Sequence, residues 1–142
     1  MERIELYNSL LGDIGNFVLV VFGFSVTLFT VLYSFILSKR EQLKEYSDKI
    51  KYGNNDLLIY QRHSNAIKFI DRFKNFNNHL IATIFIDLFV YLACMIIKYF
   101  VENLKFKETS TIVIAILTGI IIVYVSIMLS LTVRDYQRVT KI

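Results

Sequence analysis

The sequence predicts an all-α integral membrane protein: three transmembrane helices with a cytosolic helical hairpin, assembling as a homo-oligomer. Three observations point there. Of the 142 residues, 55% are hydrophobic and the mean hydropathy is +0.50, too apolar for a soluble domain of this size. No charge lies between Asp13 and Lys39, nor anywhere from Thr109 to Val133, and either run is long enough as a helix to cross a hydrocarbon core of about 30 Å. There is no Pro and there are only five Gly, so nothing divides the chain into small domains or linkers, and one domain over residues 1–142 is the economical reading.

Residues 1–16 set Ile4, Tyr7, Leu11 and Ile14 at helical spacing among Glu2, Glu5, Asn8 and Ser9, which predicts a short interfacial helix. Gly12 and Gly15 then mark a bend into the first span. One Arg against Glu2, Glu5 and Asp13 is not a basic leader, so the first apolar segment is expected to stay attached. That span, residues 17–38, is about 33 Å long as a helix. Its Gly23, Thr27, Thr30, Ser34 and Ser38 follow at spacings of four, three, four and four, lining one face while Val, Leu, Ile and Phe cover the rest. Good helix formers from Lys39 to Glu45 carry the helix onward to about Tyr52, before the first strong breaker, Gly53.

The segment 39–79 holds nine Lys or Arg and forms the predicted cytosolic hairpin. Gly53, Asn54 and Asn55 supply its turn, with Asn54 or Asn55 placed to cap a helix whose first turn carries Asp56. Ala66, Ile67, Ile70, Phe73, Phe76 and Leu80 make the returning arm's apolar stripe. The outgoing arm has 14 residues and the returning arm about 24, a mismatch that predicts a kink or short extra helix near Ser64 and Asn65. A second span follows at 80–100 and a third at 110–132. Residues 101–109 between them read as a tight loop, with Tyr99 and Phe100 as interfacial anchors.

Orientation follows from Lys and Arg: nine in 39–79, three after the last span (Arg134, Arg138, Lys141), three in or beside the short loop and one before the first span. The positive-inside rule places the hairpin and carboxyl terminus in the cytoplasm and the amino terminus outside. Absence of Trp and abundance of Ile, Lys, Asn, Tyr and Phe suggest an AT-rich bacterial genome, hence a bacterial inner membrane.

Asp87 is the most informative residue. About 10 Å into the second span, an acid costs roughly 2.5 to 3.5 kcal/mol to insert, so it is expected to face protein or water. Thr83, Asp87, Tyr91, Cys94 and Lys98 share its face, and the line runs back through His79, Asn75 or Phe76, and Arg72 to Lys68. Two readings stand: Thr83, Asp87 and Tyr91, with Thr27, Thr30 and Ser34 of the first helix, border an ion pathway in an oligomer, or they are interhelical polar glue. Three helices cannot enclose an aqueous lumen, so conduction requires several copies. Ala115 and Gly119, like Gly23, offer small-residue contacts for assembly.

In the hairpin, Arg62, Asn65, Lys68 and Arg72 share one side, with Phe69 among the rings beside them, a pattern suited to phosphates and stacked bases. The alternative is that bases such as Lys39, Arg40, Lys44 and Lys74 meet anionic headgroups, diluted by five acids in the same stretch. His63 and His79 are 16 apart with no Cys or carboxylate pair nearby, so neither a metal nor another cofactor is expected. Lone Cys94 in an apolar run reads as a packing residue. Small three-span kinases of lipids exist, but phosphoryl transfer needs carboxylates for Mg²⁺, and the spans contain only Asp87, so the chain is not expected to be an enzyme.

The stretch Gly23 to Leu37, running into Ser38-Lys39-Arg40 and then the basic, aromatic hairpin, resembles the small membrane effectors of bacterial antiphage defence, above all the Hailong-type DNA-gated channel subunits. The resemblance lies in architecture. It implies a homotetrameric channel held shut by an oligonucleotide that a partner nucleotidyltransferase makes, and opened on infection to depolarise the cell. A looser likeness links the chain to two-span effectors of nucleotide second-messenger systems, a plan that the third span exceeds. The alternative function is a non-conducting membrane anchor whose hairpin docks a soluble partner.

Overall fold

A computed structural model describes residues 2–53 and 56–140, and they form three long helices: α1 (Glu2–Lys51), α2 (Leu57–Phe100) and α3 (Leu104–Thr140). All three contain stretches long and apolar enough to cross a membrane, so the chain is a multi-pass, all-helical membrane protein. Their outer surfaces carry exposed Phe, Leu, Ile and Val, the composition that acyl chains require.

The ends of the helices follow from local chemistry. Gly53 takes φ +84°, a left-handed backbone that closes α1, and its N–H donates to the Ile50 carbonyl across 3.1 Å. Asp56 caps α2, its Oδ1 accepting from the Leu58 N–H at 3.0 Å. The expected caps, Asn54 and Asn55, lie outside the described residues. Asn103 does the same for α3, with Oδ1 accepting from Lys105 and Phe106 N–H groups at 3.1 and 3.3 Å. The connection expected over 101–109 is therefore only Val101 to Asn103, because this cap lets Lys105, Lys107 and Glu108 enter the helix.

Two further expectations give way. Residues 1–16 do not form a separate helix; α1 runs unbroken through Gly12 and Gly15. Those glycines serve close approach instead: a Cβ on Gly15 would lie 3.6 Å from Cys94 Cβ, and one on Gly12 would lie 3.1 Å from Lys98 Nζ. Nor is there a separate short helix near Ser64 and Asn65, since α2 is uninterrupted there.

The chain divides into two units, Met1–Ser25 with Ala82–Ile142, and Val26–Ile81. In the first, Leu11, Val18, Val90, Cys94 and Ile114 form the core, with Ile14, Tyr91, Ala93, Ile97 and Ile121 against it. In the second, Leu32 and Ile36 of α1 and Ala66, Ile70, Phe73, Phe76 and Leu80 of α2 are buried, and Phe69 stacks on Phe73 with ring centroids 4.2 Å apart. Buried positions recur every seventh residue: Leu11, Val18, Ser25 and Leu32 on α1, and Ala66, Phe73, Leu80, Asp87 and Cys94 on α2. Within each unit that repeat is the signature of helices packed along a seam.

Candidate functional site

Within the unit Val26–Ile81, α1 and α2 leave the turn as unbroken antiparallel helices, so residues equally far from it in sequence lie at one level. Lys39 Nζ, 5.7 Å from the Phe69 ring centroid, confirms that register. By the same count, Ser38 is level with Ile70, Ser34 with Lys74, and Thr30 with Asn78. The extra ten or so residues of α2 run for about 15 Å beside the uncharged part of α1.

The consequence is a hairpin with two unlike sides. α1 exposes Val31, Tyr33, Phe35 and Leu37 over this stretch, while α2 exposes Asp71, Arg72, Lys74, Asn75, Asn78 and His79. The hydroxyl stripe of α1 is exposed too, but it points away from α2, because Thr30 and Ser34 sit roughly 200° around the helix from buried Leu32. Thr30 Oγ1 donates to the Val26 carbonyl at 2.9 Å and Ser34 Oγ to the Thr30 carbonyl at 3.0 Å, so these hydroxyls are satisfied by their own backbone.

The polar line along α2 changes character as it climbs. Lys68, Arg72, Asn75 and His79 are exposed; Thr83 and Asp87, farther along the same line, are buried, Asp87 completely. Tyr91 is half-buried against the core of the first unit. Of the six residues expected to border a pathway, Thr27, Thr30 and Ser34 are exposed in the unit Val26–Ile81, while in the other unit Thr83 and Asp87 are buried and Tyr91 is half-buried.

Of the residues expected to hold an anion, Arg62, Asn65, Lys68 and Arg72 are all exposed along one side of α2. The one ion pair within 4 Å among the described residues is Lys49 with Glu45, so no carboxylate claims those three cations. Phe69 is half-buried between Phe73 and Lys39, which leaves it less open to a stacking base than its neighbours suggest. No group of three His, Cys, Asp or Glu able to hold a metal occurs among the described residues.

Among the described residues, five buried polar residues escaped the sequence reasoning: Ser25, Asn77, Lys107, Thr111 and Thr118. Ser25 is wholly enclosed and Asn77 nearly so, and neither Ser25 Oγ nor Asn77 Oδ1 meets a hydrogen-bond partner among the described residues. The signal for Ser25 was its place in the sevenfold series with Leu11, Val18 and Leu32, not the hydroxyl stripe two residues away. No family model, curated protein or solved structure matches the chain.

Proposed function

We propose that the protein is a homo-oligomeric ion channel of the bacterial inner membrane, gated by an anionic nucleotide or single-stranded oligonucleotide bound at a cytosolic hairpin. The observation that carries this reading is the two-sided hairpin. Asp71, Arg72, Lys74, Asn75, Asn78 and His79 stand level with the apolar residues of α1. Against lipid each charge would cost roughly 2.5 to 3.5 kcal/mol. Several copies arranged with α2 inward and α1 outward relieve that cost, since the polar side then lines water and the apolar side meets acyl chains.

This reading assigns the lining to Arg72, Asn75, Asn78 and His79 more than to Thr27, Thr30 and Ser34. The basic strip Arg62, Asn65, Lys68 and Arg72 leads into the same line, so an anion bound there sits at the mouth of the path. The resemblance to antiphage effectors supplies the rest: a tetramer, a partner nucleotidyltransferase and depolarisation of infected cells.

Purified protein in liposomes tests the proposal by ion flux. Asn78→Leu or Arg72→Glu is expected to reduce flux severalfold, while Thr30→Val and Ser34→Ala leave it unchanged. A bilayer that stays impermeable under every ligand condition removes the channel. The second reading, a non-conducting anchor, is favoured by the burial of Thr83 and Asp87 within the protomer. It predicts an impermeable bilayer together with a stoichiometric soluble partner.

A further inference from the structure

Asp87 has zero exposure, and neither carboxylate oxygen meets a hydrogen-bond partner among the described residues. Ser25, also at zero exposure, has its Oγ in the same condition. Both belong to the unit Met1–Ser25 with Ala82–Ile142, and its contacts set their levels. Gly15 of α1 lies against Cys94 of α2. Ten residues farther along α1 is Ser25, and ten residues back along α2 is Ile84, between Thr83 and Asp87. Lys107 Nζ of α3 is 3.3 Å from the Lys98 carbonyl of α2. Eleven residues inward on each helix puts Thr118 level with Asp87.

Thr118 is buried and donates its hydroxyl proton to the Ile114 carbonyl at 2.9 Å, which leaves its oxygen able to accept. Ser25, Thr83, Asp87 and Thr118 thus lie at about one level on three helices, all of them buried. Nothing basic is near. On α1 the run from Asp13 to Lys39 is uncharged, as is that on α3 from Thr109 to Val133. The first basic residue along α2 is His79, about 12 Å away. An uncompensated buried carboxylate is too costly to persist, so its charge is answered by something other than a side chain.

We infer that this layer is a monovalent-cation site: Asp87 holds a small cation, H⁺ or Na⁺, with the hydroxyl oxygens of Ser25, Thr83 and Thr118 beside it. The inference is independent of the channel reading, since it concerns the interior of one protomer and holds equally for an anchor.

Carbodiimide labelling of the full chain in detergent, with the modified residue located by mass spectrometry, tests it. Dicyclohexylcarbodiimide is apolar; it adds the O–H of a carboxylic acid across one N=C bond, and the adduct rearranges to a stable N-acylurea. The expected result is modification at Asp87 by this reagent, none by a water-soluble carbodiimide, and none at position 87 in Asp87→Asn. Protection by sodium chloride but not choline chloride identifies the cation as Na⁺, with Ser25→Ala weakening protection severalfold; labelling indifferent to sodium identifies H⁺. Ready modification by the water-soluble reagent would mean that the carboxylate faces water, and failure of the apolar reagent at every pH would mean that it never carries a proton. Either overturns the site.

Discussion

Lys107 Nζ of α3 donates to Asn8 Oδ1 of α1 across 2.6 Å, and Lys107 is only 2% exposed. The same ammonium reaches the Lys98 carbonyl of α2 at 3.3 Å, so one cation ties all three helices together at this end. Its acceptors are neutral, which makes each of them matter. Removing one leaves a buried donor unsatisfied, at a cost of about 1 to 3 kcal/mol. Asn8→Ala is therefore expected to lower the thermal midpoint in detergent, followed by a thiol-reactive dye that reports exposure of Cys94, the only cysteine. An unchanged midpoint would mean that the contact contributes nothing.

Gly15 yields a prediction of opposite sign for two substitutions. Its missing Cβ would stand 3.6 Å from Cys94 Cβ and 3.8 Å from Tyr91, ordinary van der Waals contact. Gly15→Ala fits and gains up to about 1 kcal/mol of helix propensity. Gly15→Leu drives atoms into the α1–α2 seam and costs about 1 to 3 kcal/mol by overpacking. The same dye assay is expected to show a raised midpoint for Ala and a lowered one for Leu; two lowered midpoints would refute the geometry.

Tyr7 gives a pH signature. Glu108 holds its phenol above the usual value of 10.0, with burial acting in the same direction and Arg3 opposing. A group whose proton is held more tightly in the fold contributes stability that is full below about pH 10 and is lost as pH rises through the raised value. Tyr7→Phe is expected to flatten the alkaline limb of a plot of midpoint against pH, leaving its shape at neutral pH unchanged. An alkaline limb as steep as in the wild type would assign that loss to other groups.

The first and third spans were legible because charge-free runs of bilayer length have no other economical use, the second from an apolar run around Asp87, and the seam on α2 from Ala66, Ile70, Phe73, Phe76 and Leu80. What was not legible shares one physical origin. Gly12 and Gly15 permit either a bend or a close approach, and only the neighbouring Cys94 and Lys98 decide between them. The unequal arms demanded a kink only if α2 had to become apolar where α1 does. In the fold it stays polar beside apolar α1, an arrangement that the proposed association of several copies would explain. Ser25 was hidden because the hydroxyl stripe at Thr27, Thr30 and Ser34 drew attention to the opposite face of α1.

The basic strip offers the test of gating. Arg62, Lys68 and Arg72 are exposed and outside any ion pair among the described residues, so reversing them to Glu disturbs no buried contact. Exposed substitutions of this kind usually change stability by no more than about 0.5 kcal/mol, and assembly is expected to survive. Binding of a short single-stranded oligonucleotide reads out the effect. If the three cations each neutralise a phosphate, the logarithm of affinity falls against the logarithm of salt concentration with a slope of about −2, near −0.7 per contact. Arg62→Glu, Lys68→Glu and Arg72→Glu together are expected to bring both affinity and slope close to nothing while the protein elutes unchanged. Phe69→Leu separates charge from stacking: half-buried between Phe73 and Lys39, its ring is expected to contribute little, so affinity holds. Affinity that survives the triple reversal, or that ignores salt in the wild type, would move the proposed ligand off this strip and leave the proposed path through Asn75 and Asn78 without a gate.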